Sequence, residues 1–369
     1  VKAPFPSEIR DLLALHLVPG LGPRLTAALL ERFGSAAAVR QAGKSELREV
    51  PHIGEALAAK FVESMRKVDV DAEMALMAKH NVDLLALNTA EYPAALASIH
   101  GSPHLLYMRG SVVPSDARAV AIVGSRRCTP YGKRAAERLA AELARAGYTI
   151  ISGLARGIDG SAHRGALQAG GRTVAVLAGG LSRIYPPEHK DLADQVEKAG
   201  ALVAETPMVL EPMPMMFPAR NRIISGLAQA VVLVEAAERS GALITAEHAA
   251  EQGRVVFAVP GPIDSEASAG TNALLREGAI LCRGAQDVIQ ELEGLMANPT
   301  AATPAATVAL PVLDATEQRL WDFLGNEPRH LDDIVRALSV SVARLSGILL
   351  TLEMKRIIRR LPGNRYERA

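Results

Sequence analysis

The chain has 369 residues, 49% hydrophobic and 22% charged, so it can bury sizeable cores and is not disordered throughout. Lys plus Arg number 41 and Asp plus Glu 40; the formal net charge of +1 excludes a histone-like polybasic protein, but not confined nucleic-acid sites. The two cysteines, Cys128 and Cys282, form no CxxC pair and exclude a cysteine-rich zinc site; neither a metal nor a cofactor is expected. No basic-then-apolar leader and no run of roughly 18 apolar residues occurs, so the expectation is a cytoplasmic protein with no membrane contact.

Residues 1–80 read as a domain of short helices. LVPGLGPRLTAALLERFG (17–34) fits two helices about a Pro-Gly-x-Gly turn, a helix-hairpin-helix pattern whose glycines free backbone N–H groups for a phosphate. EVPHIGEALAAKFVES (49–64) is a weaker second copy, with His52 where the first has Gly20. Only Arg24 and Lys60 lie near the two turns on the helical side, and such domains often serve as packing surfaces alone.

Residues 81–293 form the largest domain. Continuous apolar runs at 120–124, 148–152, 173–180, 201–205, 230–236 and 254–261 alternate mostly with helical stretches. That predicts an α/β fold with a mostly parallel sheet covered on both faces. The first run ends in GSRRCTPYG, which is not the dinucleotide fingerprint; Gly124 permits a tight exit, and Ser125, Arg126 and Thr129 crowd a helix start. The second ends in SGLARGIDGSAHRGAL, with Arg156 between Gly153 and Gly157, and Asp159 placed to order the helix carrying His163. No G-x-S-x-G elbow accompanies that histidine, so an orienting role outweighs a catalytic one. FPARNRIISGLAQ sets Arg220 and Arg222 around Asn221 at a helix start, suited to bidentate phosphate contact; the competing role is an ion pair with Glu205 or Glu235. Ser240 and Gly241 open a further helix, with Thr245 one turn in. These groups all follow strand ends, which share one rim in an open parallel sheet. An arginine stands where a nucleotide site would want an acidic ribose partner, so a nucleic-acid backbone fits the rim better. Few aromatics lie there, so extensive base stacking is not expected.

Residues 294–313, uncharged after Gly294 and rich in proline and small residues, read as a linker. Residues 314–369 give three helices and two short strands about Pro362-Gly363-Asn364, the order of a winged helix. From 344 to 369 seven Lys or Arg stand against Glu353 and Glu367.

The segments AIVGSRRCTPYG, SGLARGIDGSAHRGAL, TVAVLAGGLSRIYP, FPARNRIISGL, VVLVEAAERSGALITAEHAAEQGRVVFAVPG and GTNALLREGA resemble the DprA/Smf DNA-processing family. The resemblance implies an extended Rossmann-like domain, helical and winged-helix extensions, and a non-enzymatic protein. It implies binding of incoming single-stranded DNA in natural transformation, delivery of that DNA to the RecA recombinase, and a homodimer. It carries the family's DNA grip onto Gly124, Ser125, Arg126, Arg156, Arg220 and Arg222; Thr129, Gly157, Asn221, Ser240, Gly241 and Thr245 at the same rim are expected to join them in holding the strand. The chain departs at Ser182, where an aspartate is common, and in MVLEPMPMM (208–216), which lacks a usual glycine; Lys190, just beyond the first departure, is still expected to reach the DNA. The PGGxGTxxE motif of the distantly similar cytokinin-activating phosphoribohydrolases is absent, which argues against hydrolysis. Two alternatives stand: a nucleotide or nucleotide-sugar enzyme using His163, Asp159 and Glu235 at the same rim, and a duplex-binding regulator using the winged helix.

Overall fold

The computed structural model describes residues 6–297, 315–324, 329–338, 340–354, 358–361 and 365–368. Six helices open the chain, Ser7–His16, Pro23–Phe33, Ala36–Gln41, Lys44–Leu47, Glu55–Lys67 and Val70–Lys79. Their core is Leu15, Val18, Leu29, Val39, Leu47, Ile53 and Phe61. Gly20 and His52 both take positive φ, 88° and 68°, so the second hairpin repeats the first turn with a residue for which that conformation is strained.

A nine-stranded sheet follows: β1 (Val82–Ala86), β2 (Leu105–Gly110), β3 (Ala119–Val123), β4 (Thr149–Ser152), β5 (Thr173–Leu177), β6 (Ala201–Ala204), β7 (Ala230–Leu233), β8 (Val255–Ala258) and β9 (Ile280–Leu281). Its order is β1-β2-β6-β5-β4-β3-β7-β8-β9. The seven strands from β3 to β9 run parallel; β1–β2 and β2–β6 pair antiparallel. Alternate residues serve opposite faces, as the strand period requires. Val120, Ile122, Ile150 and Val232 pack under helices Pro130–Arg145 and Ile158–Gln168. Ala121, Ile151, Val231 and Leu233 face helices Met216–Gly226 and Gly241–Glu251. Both faces are covered, which is why the parallel strands read as continuous apolar runs.

The helical N-terminal block does not stand apart from this sheet. Leu13 and Met77 share a core cluster with Val82, Leu105 and Tyr107. His16 Nε2 donates to the Glu205 carbonyl at 2.6 Å, and Glu73 Oε1 accepts from the Met208 amide at 2.8 Å. Residues 1–297 accordingly form one compact unit and 298–369 a second. Helix Ala285–Ala297 runs into the segment read as linker, whose remainder lies outside the described residues.

The second unit has helices Ala315–Leu324, Leu331–Leu338 and Val342–Met354, and a small antiparallel sheet ordered β10 (Arg329–His330), β12 (Arg365–Arg368), β11 (Ile358–Leu361). Leu320, Leu324, Ile334, Leu345, Leu349, Ile358 and Tyr366 form its core. This is the expected winged helix with one added strand, β10; Pro362–Asn364 lies outside the described residues.

Candidate nucleic-acid interface

The chain leaves β3 in two directions, adding β4, β5 and β6 on one side and β7, β8 and β9 on the other. Open α/β sheets place ligands where the order reverses, outside the strand C-termini. A cleft of about 460 Å³ lies there, between the loops after β3 and β7. Its lining includes Gly124, Ser125, Arg126, Arg220, Asn221, Ser240, Gly241 and Thr245, so eight of the anticipated residues meet in one place. A second indentation shares Arg126, Phe217 and Arg220 with it and adds Arg156, Arg183, Tyr185 and Pro212.

The loop after β3 is shaped by close backbone approach. The Ser125 amide donates to the Glu235 carbonyl at 2.7 Å, and a Cβ at Gly124 would sit 2.8 Å from that same oxygen. Gly157 has φ 77°, and its Cβ would lie 2.2 Å from the Ser125 carbonyl. Gly157 therefore brings the two loops together rather than lining the cleft. Arg126 is exposed, with its guanidinium carbon 4.4 Å from the centre of the Phe217 ring, a cation–π distance. Arg156 is half exposed and ion-paired with Glu188 at the surface. Exposed pairs of this kind contribute little, so a phosphate can replace the carboxylate at small cost.

Arg220 is buried. It donates to the Val176 carbonyl at 2.7 Å, while its Nε is buried without a partner. Burial lowers its pKa to about 10, with the Asp159 carboxylate opposing that shift. A Cβ at Gly153 would overlap the Arg220 guanidinium, which explains the glycine. Asp159, itself buried, accepts from the Gly153 amide at 3.1 Å and the Ala155 amide at 3.4 Å. It orders the loop carrying Arg156 instead of capping its own helix, whose cap residue is Gly157. Asn221 donates to the Gly241 carbonyl at 3.1 Å and ties two helices across the cleft. Ser240 caps helix Gly241–Glu251, and nothing lies within 4 Å of a Cβ built at Gly241.

Besides Gly157, three anticipated residues fall elsewhere. Thr129 caps helix Pro130–Arg145, and its amide and hydroxyl both donate to the Glu235 carboxylate, at 2.8 and 2.6 Å. The anion at that helix start is the protein's own, and a Cβ at Gly132 would meet the same carboxylate at 2.4 Å. Arg222 donates to both oxygens of Glu205 at 2.6 Å and lines neither hollow. Helix Met216–Gly226 begins earlier than the sequence suggested, so the two arginines sit inside it rather than at its N-terminus. Lys190 begins helix Lys190–Ala199, exposed, and also lines neither hollow.

His163 is fully buried, with Nδ1 2.7 Å from the Thr173 hydroxyl. His163, Asp159 and Glu235 are thus committed to Thr173, the Gly153 loop and Thr129 respectively, and do not bond one another. They form no acid–base constellation.

Sequence reasoning missed Arg183, Tyr185 and Phe217. Tyr185 and Phe217 make an edge contact at 6.2 Å. Phe217 opens the FPARNR segment, and Arg183 and Tyr185 sit in LSRIYP, so the signal was their adjacency to the motifs. The two departures from the family pattern prove to touch: the Ser182 amide and hydroxyl both donate to the Met208 carbonyl. Among the described residues no helix is long and apolar enough to cross a membrane, and no group of three His, Cys, Asp or Glu could hold a metal ion.

A family model described as DNA recombination-mediator protein A matches residues 83–293. A SAM-like helix-hairpin-helix tandem matches 9–67, and a DprA winged helix domain matches 302–364. Protein Smf of Escherichia coli is 38% identical over 83% of this chain and 82% of that one. The crystal structure of DNA processing protein A from Streptococcus pneumoniae is similar at a TM-score of 0.68, with 34% identity over 76% of this chain and 97% of that one. DNA processing protein A from Helicobacter pylori, whose structure is described for its single-stranded DNA binding mode, gives a TM-score of 0.52, with 31% identity over 58% and 96%.

Proposed function

The chain belongs to the DNA recombination-mediator protein A family, and from that premise we propose that it binds single-stranded DNA in the cleft after β3 and β7. The observation that carries this is the meeting of Arg126, Arg156 and Arg220 with the Ser240–Gly241 helix start around one open rim. Phosphates bound there supply affinity without a sequence code. Such a protein acts in natural transformation or recombination by holding incoming strands and delivering them to a recombinase of the RecA type. The family description, a recombination mediator, supports that step.

We also infer that two copies pair. Among the described residues β9 is a two-residue edge strand with no strand on its outer side, and Leu281 on it is 45% exposed. An isologous pairing of that edge would cover it. Sedimentation reads the outcome; a monomer at all concentrations rejects it.

The nucleotide-processing alternative is disfavoured by Glu235. In Rossmann-type sites the first helix start receives the ligand phosphate. Here Glu235 occupies that start, with Gly132 packed against it. The testing experiment titrates the full chain with a labelled oligothymidylate and with a duplex of equal length. Preference for the single strand, weakening with salt, is expected; no single-strand binding at low salt contradicts the proposal.

A further inference from the structure

We propose that segment 208–216, with Tyr185 beside it, is a wall for nucleobases: an apolar lip on which the bases of a bound strand lie while its phosphates rest on the arginines. This rests on the single-strand reading above and adds the base contacts to it.

The protein leaves apolar side chains in water along this segment. Met213 is 44% exposed, Met215 76% and Tyr185 41%, whereas Val209, 64% exposed, lines a separate hollow against the N-terminal helices. An apolar strip of this kind on a folded surface marks a contact to be made. It is also pinned in place. The Gly180 amide donates to the Leu210 carbonyl at 2.8 Å, and the Ser182 amide to the Met208 carbonyl at 3.1 Å. From the other side Glu73, on helix Val70–Lys79, holds the Met208 amide at 2.8 Å. The segment rides so close to the end of β5 that a Cβ at Gly180 would lie 2.1 Å from the Pro207 carbonyl. The helical N-terminal block thereby helps to set the lip.

What lies beside the strip selects its occupant. Pro212 lines the same indentation as Arg126, Arg156 and Arg220. The one carboxylate of the segment, Glu211, is ion-paired with Arg183. An occupant must therefore carry negative charge at regular intervals and offer flat apolar faces next to it. A single nucleic-acid strand does both. Methionine suits the task because its flexible, polarisable thioether packs on any aromatic face and so imposes little sequence preference.

The test uses the full chain with Met213→Ser and Met215→Ser together, and Met→Leu at both positions as the conservative partner. Both sites are exposed, so the fold should tolerate the change. Each protein is titrated with an oligothymidylate of about 15 nucleotides and with an abasic oligomer of equal length. The serine variant is expected to lose roughly three- to ten-fold in affinity for oligothymidylate. Its affinity for the abasic oligomer and its salt dependence should match the parent's, and the leucine variant should bind both polymers as the parent does. A serine variant that binds oligothymidylate like the parent, or loses equally on both polymers, overturns the lip. A parent chain that binds neither polymer overturns the single-strand reading itself, and the lip with it.

Discussion

His163 shows how a side chain that looks chemical in sequence becomes structural in the fold. The Thr173 hydroxyl donates to the Ile150 carbonyl at 2.7 Å, so it accepts from His163 Nδ1–H, and Nε2 is left buried without a partner. Protonating Nε2 would place a charge in the core near His189, Arg220 and Arg164; burial first, then those charges, push the pKa down to about 3. The unfolded chain takes up a proton on this residue below about pH 6.5, while the folded chain does not until near pH 3. The histidine's contribution is therefore present above pH 6.5 and is lost as pH falls from there toward 3, by about 2 kcal/mol between pH 7 and 5. His163→Gln should flatten that part of the pH dependence, measured by urea unfolding at both pH values. An unchanged difference between the two pH values would reject the assignment. The same scale explains why only one of two neighbouring arginines reaches the cleft. Positions two apart on a helix differ by about 200°. Once helix Met216–Gly226 encloses both, Arg220 and Arg222 must point apart, and Glu205 takes the second. The motif made both arginines stand out, but the helix start that separates them left no clear mark in the sequence.

At the scale of elements, the strands that read well are those buried on both faces. β3 to β8 carry continuous apolar runs and were legible; β1, β2 and β9 were not. β1 breaks its run with Asp83 on a half-buried position, and β9 is too short to show a pattern. Strand order was not readable because the reversal at β3 depends on tertiary packing, and it is the reversal that gathers the cleft. The edge left by β9 carries its own expectation. Leu281→Glu adds a charge where a partner strand would pair, without touching the covered side of the sheet. It should convert a dimer to a monomer in sedimentation and leave affinity for an oligomer too short to bridge two copies within about two-fold. A dimer that survives the substitution places the pairing surface elsewhere.

For the whole molecule, the net charge of +1 is a sum of unlike parts. Arginines line the cleft and the C-terminal sequence has an excess of basic residues, while other arginines are neutralised in ion pairs such as Arg109 with Asp194 and Arg172 with Asp116. Such a protein does not coat nucleic acid by bulk attraction; it grips where geometry and charge coincide. Arg220 is a poor probe of that grip. It is buried against Val176 and faces Asp159, so removing it leaves a buried carboxylate uncompensated and confuses binding with stability. Arg126 and Arg156 are exposed and can be removed cleanly. The decisive measurement is the salt dependence of oligothymidylate affinity for the full chain and for Arg126→Ala with Arg156→Ala. The expected result is a loss of at least about ten-fold at low salt and a log–log slope shallower by roughly 1.4, about 0.7 for each phosphate contact removed. A double variant that is folded by circular dichroism yet keeps the parent's affinity and slope would contradict it.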